Sequence, residues 1–269
     1  MADMTFGEPL HMLDNAEYTP WVNMIFGYVK AATCVGILKT YYPCIFSLIE
    51  LVFGRQIQQA RTSHMQHTVE RVTKRLEQGR QTEGVDLWTY VLGQQEKGKE
   101  GLSRGSMDAN ASLFMVAGTE TAATTLSGLS YMLMRDLASM TKLTTKIRES
   151  FAAASDISME RLAKLPYLNA CIKEAIRIYP SVPVGLPHLT PAEGSTVCGR
   201  FVPPGVVLSA SHLLMYTSSD NFVDPLRFIP ERWLGDGRFV DDKRTLVNPF
   251  SVGSRDCLRK KYVHLAVQV

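Results

Sequence analysis

The chain has 269 residues, 45% hydrophobic and 20% charged, with 29 basic against 26 acidic side chains. This composition excludes a disordered or collagen-like chain, and at ~100–200 residues per domain the length allows one large or two modest domains with a sizeable core. A net charge of +3 gives no electrostatic case for nucleic-acid binding, which needs a clustered basic face.

Five cysteines, Cys34, Cys44, Cys171, Cys198 and Cys257, are an odd number and widely spaced, and the chain opens without a charged n-region, apolar h-region and cleavage site. That usage predicts an intracellular, reducing compartment and free thiols. The most apolar stretch, Trp21 to Phe53, is interrupted by Lys30, Lys39 and Glu50. A membrane span needs about 20 predominantly apolar residues, so no transmembrane helix is predicted. The stretch is apolar enough to lie on a membrane surface or to line a greasy pocket; packing as ordinary core helices is the simpler expectation.

In chain order, the region up to about Leu92 reads as helices broken at Pro9, Pro20, Pro43 and Gly79, with Pro43 dividing the apolar stretch. From Gln56 to Leu76, Ile57, Met65, Val69, Val72 and Leu76 recur among polar residues, which predicts an amphipathic helix with one buried face. Gly93 to Gly105 is a charged, glycine-rich connector. Ser106 to Asp136 is a long apolar run with only Asp108, Glu120 and Arg135 as charges before its end. At roughly 30 residues it predicts a helix of about 45 Å, buried nearly all round. Helices follow over Leu137–Ala154 and Pro166–Tyr179, with a short one from Ser158 to Lys164 between them. Beyond Pro180, prolines at 183, 187, 191, 203 and 204, with Thr196–Val202 and Val206–Ala210 between them, predict short strands and turns. Asn221 to Asn248 reads as aromatic, proline-punctuated coil. The fold class is mainly α with small β elements.

Among the thiols, Cys257 stands apart. It lies in Pro249-Phe-Ser-Val-Gly-Ser-Arg-Asp-Cys257-Leu-Arg-Lys, after a loop containing Gly253, between Arg255 and Arg259, ahead of a plausible helix. Cationic neighbours and a helix N-terminus both favour a thiolate. Such a group serves as a nucleophile or a metal ligand, and a structural cysteine fits the same context. Zinc is disfavoured, because the nearest histidine, His264, is seven residues on. A thiol hydrolase is disfavoured as well, for want of a histidine and acid that form a partner set.

Glu120 sits in mid-run within Ala117-Gly118-Thr119-Glu120-Thr121-Ala122. A buried carboxylate must be hydrogen-bonded, hydrated or functional. Gly118 costs about 1 kcal/mol relative to alanine inside a helix, and the usual compensation is close approach of something to the backbone. Thr121 can bond back to a carbonyl one turn earlier and distort the helix. Glu174 and Arg177, three apart in Lys173-Glu-Ala-Ile-Arg-Ile, share a helix face. Taken singly, neither this pair nor Phe228-Ile-Pro-Glu-Arg-Trp-Leu is distinctive.

Their order is distinctive. Ala-Gly-Thr-Glu-Thr, then Glu-x-x-Arg, then Phe-x-Pro-Glu-Arg-Trp, then Phe250-x-x-Gly253-x-Arg255-x-Cys257 resembles the cytochrome P450 family, in sequence order and with family-like intervals. Leu165-Pro-Tyr-Leu-Asn-Ala-Cys-Ile-Lys-Glu and Gly199-Arg-Phe-Val-Pro-Pro-Gly resemble the fungal members of secondary metabolism in particular. The likeness runs from Met1 to about Lys260, and Met1 aligns with the middle of the family pattern. It therefore implies one partial domain, truncated at the front and shortly after the cysteine loop, with 1–105 a variable helical region facing substrate or membrane and 106–269 a haem-binding core.

The resemblance implies haem b as cofactor with Cys257 as axial thiolate, a ligand that favours O–O cleavage. Phe250 would shield the sulfur, Gly253 would permit the tight loop, and Arg255 would pair with a haem propionate. Gly118 would make room for dioxygen, Glu120 would belong to a proton relay, and Thr121 would hydrogen-bond the activated oxygen or its water. Glu174, Arg177 and Arg232 would lock the core as a charged network. His188 stands where relatives often carry an arginine near a propionate, and Arg259 replaces a glycine. The implied activity is oxidation of a lipophilic small molecule, a terpenoid or polyketide intermediate, with electrons from NADPH-cytochrome P450 reductase. Full-length relatives are expected at the endoplasmic-reticulum membrane, and this chain at most makes peripheral contact with it. The alternative is a truncated, inactive remnant.

Overall fold

The computed structural model describes residues 27, 34–78, 88–89, 101–254, 256 and 257. The predicted breaks at Pro9, Pro20 and Gly79, and most of the 93–105 connector, lie outside them. The chain divides into two compact units, Met1–Glu120 and Thr121–Val269.

In the first unit, residues 34–41 are helical, Tyr42 interrupts, and α1 runs over Pro43–Glu77. Pro43 occupies the first helical turn, where its fixed φ suits the helix and its missing N–H costs nothing. Sequence reading separates an apolar stretch from an amphipathic one; the helix joins them without a break through Gly54. At 35 residues it is about 52 Å long. Thr68, Val72 and Arg75, near its C-terminal end, are buried, while Tyr42, Ile45, Leu48, Leu51, Val52 and Phe53 are exposed, Leu51 to 83%. The expectation of plain core packing is therefore corrected: apolar residues on six positions spanning three turns cover the helix on several sides, and they face solvent. Arg104 ties the unit together, its guanidinium donating to Thr73 Oγ1 at 2.5 Å and its Nε to Asp108 at 3.0 Å.

The long helix, α2, spans Arg104–Arg135, two residues earlier in its start than predicted. It is not buried nearly all round. Met107, Ala111, Met115, Gly118, Thr125, Leu129 and Leu133 form a buried stripe at helical spacing, whereas Leu113, Leu126, Tyr131 and Met134 are exposed. Asp136 then ends one helix and starts the next. Its carboxylate accepts from the Ser139 N–H at 3.3 Å and the Ser139 hydroxyl at 2.9 Å, capping α3, Leu137–Ser150. Ser158 caps the short α4, Met159–Ala163, in the same way.

The second unit is organised on α5, Pro166–Ile178. Pro166 again takes the first turn. Nine of its residues, from Tyr167 to Arg177, are buried, because α3, α4, a later helix and a 3-10 turn all pack on it. Leu168, Cys171, Ile172, Ala175 and Ile176 join Leu129 and Leu133 of α2, Leu143 of α3, Phe151 and Leu162 in one core. Each large apolar side chain buried there contributes about 1.5–3 kcal/mol. Gly128 lets α2 approach this region closely: a Cβ there would lie 2.8 Å from Tyr179 Cδ1.

Two small antiparallel pairs follow. β1 (His188–Leu189) pairs with β4 (Val207–Leu208), and β2 (Ser195–Val197) pairs with β3 (Arg200–Val202). The short strands and turns predicted over Thr196–Val202 fall in this second hairpin. Cys198 and Gly199, at φ 49° and 75°, make the two-residue turn whose positive φ values match the strand twist. A short α6, His212–Tyr216, packs on α5. The predicted coil 221–248 is punctuated by 3-10 turns at Pro230–Trp233, Gly237–Phe239 and Arg244–Leu246.

Candidate functional site

The structure brings Glu174, Arg177 and Arg232 together, every one with its side chain fully buried. Glu174 and Arg177 share a face of α5; Arg232 comes from the 3-10 turn that packs on it. Glu174 Oε1 accepts from Arg177 Nη2 at 2.8 Å, Arg232 Nε at 2.9 Å and the Ile229 N–H at 3.1 Å. Its Oε2 accepts from Arg177 Nε and the Trp233 indole N–H, both at 2.9 Å. The remaining Arg177 donors go to carbonyls, Tyr216 at 2.6 Å, Pro225 at 2.7 Å and Arg227 at 3.3 Å.

One carboxylate and two guanidiniums would leave a net buried charge of +1. Asp242 removes it. Its carboxylate accepts from Arg232 Nη1 and, at 2.8 Å, from the Val223 N–H. The cluster is thus a neutral quartet, walled by Phe222 and Phe239, whose rings lie 5.0 Å from the Arg177 guanidinium and 4.8 Å from that of Arg232. Such a buried set is tolerable only when complete. Sequence reasoning missed Asp242, since it sits in coil where no periodicity marks a partner; the charge surplus of the other three is the signal that a second acid was required.

Cys257 lies at the end of a tied loop. The Ser251 N–H donates to the Asn248 carbonyl at 3.1 Å, the Asp256 N–H to the Gly253 carbonyl at 3.3 Å, and the Cys257 N–H to the Phe250 carbonyl at 2.8 Å. Gly253 at φ 90° and Ser251 at φ 61° make the reversal; the first of these is where glycine is needed. The Phe250 side chain packs partly buried against the core of the second unit, and Cys257 is exposed. Its opposite is Cys171, wholly buried in that core, where burial pushes the thiol up to about 12.

Of the other predicted residues, Gly118 is buried in α2, and Glu120 and Thr121 are half-buried. The Thr121 carbonyl accepts from the hydroxyls of Thr125 at 3.0 Å and Ser181 at 2.9 Å. Thr125 thus makes, to the Thr121 carbonyl, a back-bond of the kind expected of Thr121. His188 is exposed at the start of β1. Arg255 and Arg259, and the helix expected after Cys257, lie outside the described residues.

The family model described as Cytochrome P450 matches residues 1–260. The chain belongs to the cytochrome P450 family. Similar curated P450s are fungal: it is 42% identical over 258 residues to cytochrome P450 monooxygenase FUM2 of Gibberella moniliformis, 96% of this chain and 54% of that protein. It is 39% identical over 265 residues to cytochrome P450 monooxygenase efuB of Hormonema carpetanum, 98% of this chain and 52% of that one. Averantin hydroxylase of Aspergillus parasiticus is 32% identical over 269 residues, the whole of this chain and 54% of that enzyme. The chain thus spans about half the length of the curated P450s it matches. A crystal structure of a cytochrome P450 superposes with TM-score 0.79 at 17% identity, over 99% of this chain and 56% of that one, which shows the fold.

P450 membership implies a haem-iron cofactor, and the donor set fits one. Among the described residues no three His, Cys, Asp or Glu side chains gather as a metal-ion site. A thiolate such as that of Cys257, exposed at the end of its loop, is a donor of the type that holds iron in a porphyrin. Among the described helices none is long and apolar enough to cross a membrane.

Proposed function

We propose that this chain is the cysteine-ligand portion of a haem-thiolate monooxygenase that oxidises a lipophilic small molecule in a fungal secondary-metabolite pathway. The observation that carries the reading is the loop in which Cys257 is exposed at the end of a turn tied to Phe250, with Gly253 at the reversal. When bound, haem supplies dioxygen activation and one-electron chemistry. The protein's part is to hold it and to move protons. Cys257 would be the axial ligand, its thiolate tuned by nearby backbone N–H groups. Phe250 would shield the sulfur, and Arg255 and His188 would meet the propionates.

Glu120 and Thr121 would form the proton path, the carboxylate relaying and the hydroxyl donating. Both are half-buried in α2, a setting compatible with general acid–base work. Gly118 would leave space beside them. Glu174, Arg177 and Arg232 would act as the frame of the core, with no part in the chemistry. Electrons would come from NADPH-cytochrome P450 reductase. The exposed apolar residues of α1 support contact with lipid or with a greasy substrate, and association with the endoplasmic-reticulum membrane is the expected setting of the full-length relatives.

The test is coupling. With haem, reductase and NADPH, the wild-type chain is expected to consume NADPH, and Thr121→Ala to divert about tenfold more of it to peroxide, since the proton donor would be lost. Equal peroxide yield from both would contradict the role of Thr121. Failure of the haem-loaded wild type to consume NADPH would contradict the reading as an enzyme.

A further inference from the structure

Asp242 of the buried ion quartet stands six residues before Asn248, where the cysteine loop starts, and a residue from a separate helix ties the two together. Tyr216 closes α6 and is completely buried. Its backbone carbonyl accepts from Arg177 Nη1 at 2.6 Å, so its main chain is fixed by the quartet. Its hydroxyl oxygen accepts the Asn248 N–H at 2.9 Å, so its side chain holds the first residue of the loop. The next residue, Pro249, has no N–H to give. Asn248 is therefore the donor through which this entry to the loop is tied, and its own carbonyl then receives the Ser251 N–H that begins the turn.

The ring between these two contacts has little freedom. His212 stacks on it with centroids 5.3 Å apart and planes 5° from parallel. His212 is itself held, its Nδ1 lying 3.0 Å from the Val182 carbonyl oxygen. A buried ring with one end fixed and one face stacked transmits position instead of absorbing it.

We infer that Tyr216 is a positioning residue: its hydroxyl sets where the Cys257 loop begins relative to the Glu174 quartet, and hence where the thiol stands. The functional meaning of that position rests on the proposed role of Cys257 as haem ligand; the coupling itself does not.

The test uses the full chain and Tyr216→Phe, which keeps the ring, the stack and the backbone carbonyl and removes one oxygen. Hydrogen exchange followed by mass spectrometry is expected to show amides of 248–257 exchanging about tenfold faster in the variant, with those of α5 unchanged. In haem-loaded, reduced protein under carbon monoxide, the thiolate-type Soret band of the variant is expected to decay roughly tenfold faster than that of wild type. Exchange in 248–257 within about twofold of wild type, or an equal rise in α5, would overturn the inference. A wild-type protein that shows no thiolate-type band would refute Cys257 as ligand, and the exchange comparison would still decide the role of Tyr216.

Discussion

The Glu174 quartet and the Cys257 loop belong to the same unit and obey opposite rules. In the quartet four charges are hidden from water, and both carboxylates accept from backbone or indole donors as well as from arginines. In the loop the reactive atom is exposed and only the backbone around it is tied. The difference separates two uses of polar groups. A complete buried network costs desolvation and returns a single geometry; an exposed thiol has no such cage, so its position is set by the backbone around it.

The largest expected effect comes from breaking the quartet at its centre. Glu174→Ala removes the acceptor of five hydrogen bonds and leaves two buried guanidiniums with one carboxylate. A loss of about 3–5 kcal/mol is expected in denaturant unfolding, enough to unfold a marginal domain. Removing charge but not shape at the edge should do less: Asp242→Asn is expected to cost about 2 kcal/mol, since one charge-assisted bond to Arg232 is weakened and Arg232 becomes under-compensated. If Asp242→Asn matched wild type in stability, the quartet would reduce to the three residues visible in sequence.

Thiol chemistry sharpens the comparison with the smallest energies. With burial holding Cys171 at about 12, its thiolate fraction at pH 8 is on the order of 10⁻⁴. Alkylation by iodoacetamide at that pH is expected at exposed Cys257 and Cys198 and absent at Cys171 until the protein unfolds. The sign for stability follows. The native state keeps this proton above the ordinary thiol value while the unfolded state loses it, so stability falls as pH rises from about 8.5 toward 12. Cys171→Ala is expected to flatten that slope, read by denaturant titrations across the range.

Much of this was legible in the sequence where local rules apply. Pro43 and Pro166 begin helices as their ring geometry dictates, and Glu174 with Arg177 shares a face because three residues make most of a turn. The ordered set of short motifs carried the family. What was not legible depended on three-dimensional partners. Asp242 and Tyr216 lie 68 and 42 positions beyond Glu174 in sequence and carry no pattern that marks them. Apolar character gave a wrong account of exposure in α1 and α2, because composition records what a surface prefers and not what covers it. Short strands and turns were legible over Thr196–Val202, but the hairpin turn at Cys198 and Gly199 was not placed, since Cys-Gly is a weaker turn signal than Asn-Gly.

At the centre stands the proposal that Cys257 would hold the iron of a haem. Its most direct test is the Soret spectrum of the reduced chain, loaded with haem and exposed to carbon monoxide, in wild type and Cys257→Ala. The account predicts the strongly red-shifted thiolate-type band in wild type and its loss in Cys257→Ala. The same band in both proteins, or no haem uptake by soluble wild type, would contradict it.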